Sequence, residues 1–175
     1  MDPPSGVELV EFGPLTADLR AELEGDEPDP FDAERIPLKF TDKERHVALR
    51  SRDGRLVAST GMLVVVADVA GERIPVVGFG GVIVSAPYRG RGFGRGVVQA
   101  ALARAQTMGP AFALLFCHPS RAGLYRGLGF ARVTSPVSVA QPTGTAQMPL
   151  HTMSHPLAPG ATWPPGPVAL RSLPF

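Results

Sequence analysis

The segment Arg89-Gly90-Arg91-Gly92-Phe93-Gly94 combines closely spaced glycines with two guanidinium groups. It lies between a strand-like run, Val76 to Val84, and a helix-like run, Arg95 to Arg104. A strand that empties through glycines into a helix directs several backbone N–H groups at one small volume, at the positive end of the helix dipole. Arg89 and Arg91 add full charges, so the pattern predicts a seat for a phosphate or pyrophosphate. A nucleotide P-loop does not fit: it needs Lys-Ser/Thr after its second glycine, whereas Phe93-Gly94-Arg95 stands here and the two lysines, Lys39 and Lys43, lie elsewhere. The dinucleotide pattern G-x-G-x-x-G fails at Arg95, and no acidic residue near 112–118 could hold a ribose. A solvated turn can share this composition, but the flanking strand and helix argue against one.

A second group of residues follows at a fitting distance. Phe112-Ala113-Leu114-Leu115-Phe116-Cys117 is continuously apolar, as a strand buried on both faces must be. After it come His118 and then Leu124-Tyr125-Arg126-Gly127-Leu128-Gly129-Phe130, in which Gly129 suits the left-handed position just past a helix end. Residues 89–94 fit Arg/Gln-x-x-Gly-x-Gly/Ala at every constrained position. That pattern resembles the coenzyme A pyrophosphate loop of the Gcn5-related N-acetyltransferases (GNAT). The segment Leu124 to Phe130 is similar to the helix and turn that close the cofactor site in the same family. The resemblance is specific from about residue 74 to 133.

The resemblance implies an α/β (α+β) fold: a mixed central sheet whose two parallel strands splay apart at the acyl-CoA site, with helices on both faces. It implies acetyl-CoA as acyl donor, Val82, Ile83 and Val84 as the backbone that takes the pantetheine arm, and residues 89–95, including Arg95, around the pyrophosphate. The N–H of Val84 is the candidate donor to the oxygen on which charge develops. Tyr125 occupies the family's usual general-acid position, although a phenol of pKa about 10 protonates a thiolate of pKa about 8.5 only uphill. Many relatives place a glutamate base four residues before the end of the first strand; Gly80 stands there and offers no side chain. A water chain or another side chain is left to take the proton. His118, at the end of the second strand, is the candidate, its ordinary pKa of about 6.5 suiting neutral pH, and a structural bond to the helix start is the other reading of it. His46 reads as a structural residue at the start of an edge-like strand.

The acidic loop, which holds Asp26, Glu27, Asp29, Asp32 and Glu34, reads either as a solvated charged loop or as a source of acceptor contacts. Asp29, Asp32 and Glu34 are the candidates for drawing in a cationic amine. The C-terminal half, with Ser135 to Gly144 and an aromatic last residue, is similar to the aminoglycoside 2′-N-acetyltransferases. That likeness implies a tail that folds back and sets the carboxylate of Phe175 at the acceptor pocket. The implied function is transfer of acetyl to a primary amine of a small cationic molecule, an aminoglycoside or amino sugar of the resistance type. A coenzyme A-binding module with little catalysis, and transfer to protein amines, are the alternatives.

The elements that must position these groups are legible in the pattern. Val7 to Phe12 predicts a strand, and Leu15, Leu19 and Leu23 the apolar face of a helix. His46 to Arg50 and Leu56 to Ala67 flank Asp53-Gly54, a hairpin signal. The helix after the glycine loop should bury Val97, Val98, Ala101, Leu102 and Ala105, and end at Gly109. Val137 to Val139 and Met148 to Met153 read as weaker strands. Residues 156–175 hold six prolines yet also Leu157, Trp163, Val168, Leu170, Leu173 and Phe175, which predicts an ordered wrap over a single domain spanning 1–175 rather than a loose tail.

Composition bounds the rest. A net charge of +1 gives no electrostatic case for nucleic acid. Apolar runs such as Met62 to Ala67 are too short to span a bilayer, and residues 1–6 do not resemble a signal peptide, so no membrane partner and a cytoplasmic location are expected. Cys117 has no second cysteine to pair with. No metal is expected: His151 and His155, four residues apart on a strand, would sit about 13 Å apart. The partner is a small amine; monomer and homodimer are both left open.

Overall fold

In the computed structural model, residues 6–27, 31 and 35–175 are described. Two successive hairpins lay down the scaffold. Val7–Phe12 (β1) pairs antiparallel with Arg45–Ser51 (β2), which turns at Gly54 (φ +87°) into the 14-residue strand Leu56–Val69 (β3). Ala70 and Gly71 both take positive φ, 50° and 90°, as a two-residue hairpin turn demands, and Glu72–Val84 (β4) runs back along β3. Between β1 and β2 stands Ala17–Glu24 (α1), whose Thr16 hydroxyl accepts from the Leu19 N–H at 3.3 Å as an N-cap.

From β4 the chain enters Phe93–Ala105 (α2), Phe112–Cys117 (β5), Ala122–Arg126 (α3) and Ala131–Arg132 (β6). Val137–Gln141 (β7), Gly144–Gln147 (β8), His151–Pro156 (β9) and Val168–Leu170 (β10) complete the described elements. The sheet runs β6-β9-β5-β4-β3-β10-β7-β8, with β2 and then β1 on the other half of β3. β3 can serve both because of its length: Leu56 to Met62 pairs with β2, and Ala67 to Val69 pairs with β10. Pairing is antiparallel throughout except between β4 and β5 and between β7 and β10, so the sheet is mixed, as expected.

The two faces are covered by different elements. On one, Val97, Val98, Ala101, Leu102 and Ala105 of α2 pack with Val47, Leu49, Val77, Phe79 and Leu115, joined by Tyr125 of α3. On the other, Leu23 of α1 packs with Ala48, Leu56 and Ile83, and the tail covers the rest. The tail is ordered in a way its prolines conceal: β10 slots into the sheet, Trp163 meets Phe112 edge-on at 5.2 Å, and Phe175 is buried. Two expectations need correction. The strand expected over Met148 to Met153 is His151–Pro156, because pairing with all of β5 sets its register, and polar β8 was not foreseen. Among the described residues, no helix is long and apolar enough to cross a membrane.

Candidate active site

The cleft begins where β4 and β5 part. They pair in parallel from Val76↔Phe112 to Phe79↔Leu115 and no further. Beyond that point β4 follows β3 to Val84↔Ala58, while β5 follows β9 to Cys117↔His151. The cause is a bulge. Ser59↔Ile83 and Gly61↔Gly80 leave Thr60 alone on β3 facing Gly81 and Val82 on β4, and Gly81 takes φ +62°. One extra residue, with a glycine in the left-handed region, bends the strand away from its neighbour. The N–H of Ser85 bonds the Val57 carbonyl at 2.9 Å, so the alternate residues Val84 and Val82 turn their N–H and C=O groups toward the gap.

The resulting cleft holds about 800 Å³ and reaches from the glycine loop to α1 and the start of β2. At the loop end, Gly90 and Gly92 have φ of +74° and +82°, and Gly92 is the residue before α2. The first intrahelical bond runs from the Gly96 N–H to the Gly92 carbonyl at 3.0 Å, leaving the N–H groups of Phe93, Gly94 and Arg95 without helical acceptors. A Cβ on Gly94 would lie 3.4 Å from Val84 Cγ2, so glycine lets the helix start sit close against the strand end. These donors and the unpaired edge of β4 fit a pyrophosphate and its pantetheine arm.

The arginines divide their work. The Arg89 guanidinium is paired with the Glu27 carboxylate, and its Nε donates to the Val84 carbonyl at 3.0 Å. The bond from Arg89 holds the Glu27 carboxyl below its usual range. Arg95 Nη2 donates to the Gly127 carbonyl at 2.9 Å, beside the end of α3, so its backbone rather than its charge faces the loop. Arg91 stands 5.8 Å over the Tyr88 ring, a cation–π contact that leaves it at the mouth.

Midway along the cleft, β5 and α3 bring Phe116, Cys117, His118 and Tyr125 to one wall. Gly129 takes φ +85°, and the Leu128 and Phe130 N–H groups both donate to the Tyr125 carbonyl at 3.0 Å. This turn clamps Tyr125, which is 7% exposed and meets Phe130 edge-on. Burial raises the Tyr125 phenol above its ordinary pKa, with Cys117 adding and Arg121 opposing. Burial also pushes the Cys117 thiol up to about 11. Both groups therefore hold their protons at neutral pH. His118 lines the cleft with a buried Nε2 that has no hydrogen-bond partner among the described residues.

At the far end the wall is made of glycine. A Cβ on Gly80 would fall 2.6 Å from Lys43 Cε and 2.7 Å from the main-chain carbon of Phe175. One on Gly78 would fall 2.7 Å from the Phe175 ring, which also packs on Phe116 at 5.0 Å. The place a glutamate side chain would take is thus filled by Phe175 and Lys43. Phe175 lines the cleft. Burial holds the Lys43 ammonium below its ordinary pKa, with Asp42 opposing and Arg20 adding. Asp29, Asp32 and Glu34 lie outside the described residues; Glu24, Glu27 and Asp42 are the carboxylates that line the described cleft.

Lys43 and His46 are cleft residues that sequence reasoning did not assign to the site. Both belong to the charged run Asp42 to His46, and only the pairing of β2 with β3 and of β3 with β4 brings them to the row that holds Gly80. Among the described residues, no cluster of three or more metal-ligating side chains is present.

Comparison with known proteins gives concordant results. Residues 21–133 match the family model described as an acetyltransferase (GNAT) domain. The GNAT family N-acetyltransferase YhbS of Escherichia coli, solved in complex with CoA, is 19% identical, with 98% of this chain and 93% of that one covered at a TM-score of 0.62. The ribosomal-protein-S18-alanine N-acetyltransferase of Escherichia coli is 17% identical, with 89% and 100% covered at a TM-score of 0.54. A Gcn5-related N-acetyltransferase from Kribbella flavida is 30% identical over 50% of this chain at a TM-score of 0.46; the match spans 22% of that protein's length. No curated protein sequence matches the chain.

Proposed function

The chain belongs to the GNAT acetyltransferase family, and from that premise we propose that it moves an acetyl group from acetyl-CoA to a primary amine of a small cationic molecule. The observation that carries this reading is the continuity of one cleft. It joins the glycine loop at α2, the splayed end of β4 and a far end bounded by Phe175, Lys43 and His46. Acetyl-CoA brings the activated acetyl group, and the chain's residues orient and protonate around it. Backbone donors at Gly92 to Arg95 seat the pyrophosphate, and Val82 and Val84 offer the pantetheine a strand edge. The Val84 N–H donates where charge develops on the acyl oxygen, and Tyr125, buried and protonated, gives its proton to the leaving sulfur. The uphill transfer that its raised pKa implies is eased if the thiolate is desolvated in the same wall.

An aminoglycoside or amino sugar is the acceptor class we favour. Glu24 and Asp42 of the cleft supply carboxylates for a cationic acceptor, and the tail closes over Gly78 and Gly80 as the narrower likeness implies. Protein amines fit less well, since the buried Phe175 narrows that end. One observation favours a second reading, a coenzyme A-binding module with little catalysis: Gly80 brings no carboxylate to the site. Thiol release from acetyl-CoA, measured against aminoglycosides, polyamines, amino acids and short peptides, decides between them. Selective turnover on an amino sugar supports the first reading. Cofactor binding with no release on any amine supports the second.

A further inference from the structure

We propose that His46 is the general base of the transfer, taking the proton of the acceptor amine on Nε2. This rests on the acetyltransferase reading above and adds the residue that Gly80 fails to supply.

The geometry follows from strand register. His46 pairs with Gly61 across β2 and β3, and Gly61 pairs with Gly80 across β3 and β4, so the three lie in one row across the sheet. Neighbouring strands are about 4.8 Å apart, which puts His46 roughly 10 Å from Gly80 at the backbone. Gly61 and Gly80 bring no side chains of their own to that row. The imidazole leans into the space: its Nε2 lies 2.8 Å from where a Gly61 Cβ would stand. Lys43 covers the same row, with Cβ and Cγ over Gly61 and Cε over Gly80. His46 therefore borders the cleft from β2, which β3 separates from the strand on which many relatives carry their base.

The tautomer is fixed from behind. His46 Nδ1 is 2.9 Å from the Gly13 carbonyl, and a carbonyl oxygen only accepts, so Nδ1 carries the hydrogen. The neutral ring then presents the Nε2 lone pair to the cleft, and Nε2 takes no hydrogen bond among the described residues. Phe12 stacks on the ring at 5.5 Å and 11°, holding its plane. Burial holds the His46 pKa below its ordinary value; the Gly13 bond and Asp42 oppose this, while Lys43 and Arg20 add to it. These groups from the chain before β2, from β2's own flank and from α1 leave the ring neutral at pH 7, ready to accept. As the amine nitrogen bonds the acetyl carbon and the carbon–sulfur bond breaks, the amine proton passes to Nε2 and then to cleft water. The sulfur keeps the bonding pair and takes a proton from Tyr125.

The test separates a base from a merely structural histidine. Asn in place of His46 keeps a donor where Nδ1 stands and removes Nε2; Gln is the companion variant that reaches the Nε2 position without basicity. With kanamycin and spermidine as acceptors, His46→Asn should lower kcat by on the order of 10²–10⁴-fold, the usual worth of a general base, and leave the acetyl-CoA Kd within about twofold. The ascending limb of the wild-type pH–rate profile, at a pKa below 6.5, should vanish with it. A His46→Asn enzyme with wild-type kcat and the same limb overturns the proposal while leaving the acetyltransferase reading intact. A wild-type protein that turns over neither these amines nor any other of the panel above removes both in favour of the binding module. Should neither variant fold, nitrogen-15 shifts of wild-type His46 decide: an unprotonated Nε2 at pH 7 supports the role, and a protonated Nε2 ends it.

Discussion

The two ends of the cleft are assembled by opposite means. The cofactor end comes from one stretch, Val84 to Arg95, in which each residue's place follows from its immediate neighbours: strand end, two left-handed glycines, helix start. The far end, proposed above for the acceptor, comes from Lys43, His46, Gly61, Gly80 and Phe175, which meet only through the pairing of β2, β3 and β4 and the path of the tail. A site of the first kind is set by local conformation. A site of the second kind is also core, so chemistry and packing are bound together there. Substitutions should show this: at the loop end they should change cofactor affinity, and at the far end they should change stability as well.

Tyr125, which sits between the two ends, carries the largest expected effect. Tyr125→Phe should lower kcat by on the order of 10²–10⁴-fold with the acetyl-CoA Kd unchanged, because the ring and its packing on Phe130 remain. Its raised pKa means that the phenol does not titrate between pH 6 and 9, so no limb of the wild-type profile in that range should belong to it. A variant with unchanged kcat at every pH removes the acid role of Tyr125.

Next come the glycines, which set the two ends directly against each other. Ala at Gly78 or Gly80 would push its Cβ into the Phe175 ring or into Phe175 main chain and Lys43. Overpacking of this kind costs about 1–3 kcal/mol, or a fall in Tm of roughly 2–12 °C for a chain of this size. Acceptor KM should rise in both variants, since the displaced groups bound the far end. Gly90→Ala meets nothing within 4 Å and is strained only through its φ of +74°, so its main effect should be on acetyl-CoA Kd. If all three variants show the same ratio of Tm loss to Kd change, the two ends are not built differently.

What could be read in the sequence divides along the same line. The glycine loop, α2 with its five buried positions, the Asp53-Gly54 hairpin and the Gly129 turn are all set by short-range rules, and each stands where its residues predict. His46 and Lys43 carry no such mark. A histidine that begins a strand looks structural, and its Nδ1 bond to Gly13 is structural; that its other nitrogen faces a glycine row depends on residues 15 and 34 positions away. β10 was hidden for a related reason. Three residues among prolines have little strand preference of their own, and Val168 to Leu170 is a strand because β3 and β7 offer edges on either side. Polar β8 likewise owes its pairing to β7.

A smaller effect would sharpen the account of the loop end. Glu27 holds Arg89, the residue expected to meet the pyrophosphate, so cofactor binding must compete with an ion pair. Both side chains are partly exposed, and such pairs are weak. Glu27→Gln should therefore tighten acetyl-CoA by less than about tenfold and make its affinity more salt-dependent, as a freed arginine would. Weaker binding in this variant would mean that Glu27 orients Arg89 for the phosphate rather than withholding it.

The smallest expected effect is on stability and returns to the far end. His46 is 6% exposed, and its folded pKa lies below the ordinary 6.5, with burial as the first cause. The unfolded chain thus binds a proton at His46 more readily than the folded one. The neutral ring's contribution is complete above about pH 6.5 and declines as pH falls from there through the lower folded value. Wild-type Tm should drop on acidification across that window, beyond the drop caused by carboxylates that titrate lower. His46→Asn has nothing to protonate at that position, so the gap between its Tm and that of the wild type should narrow from pH 8 to pH 5. A gap that stays constant would place His46 in water rather than in the wall between Gly13 and the glycine row. It would then be as local as the loop end, and the contrast between the two ends would rest on Phe175 and Lys43 alone.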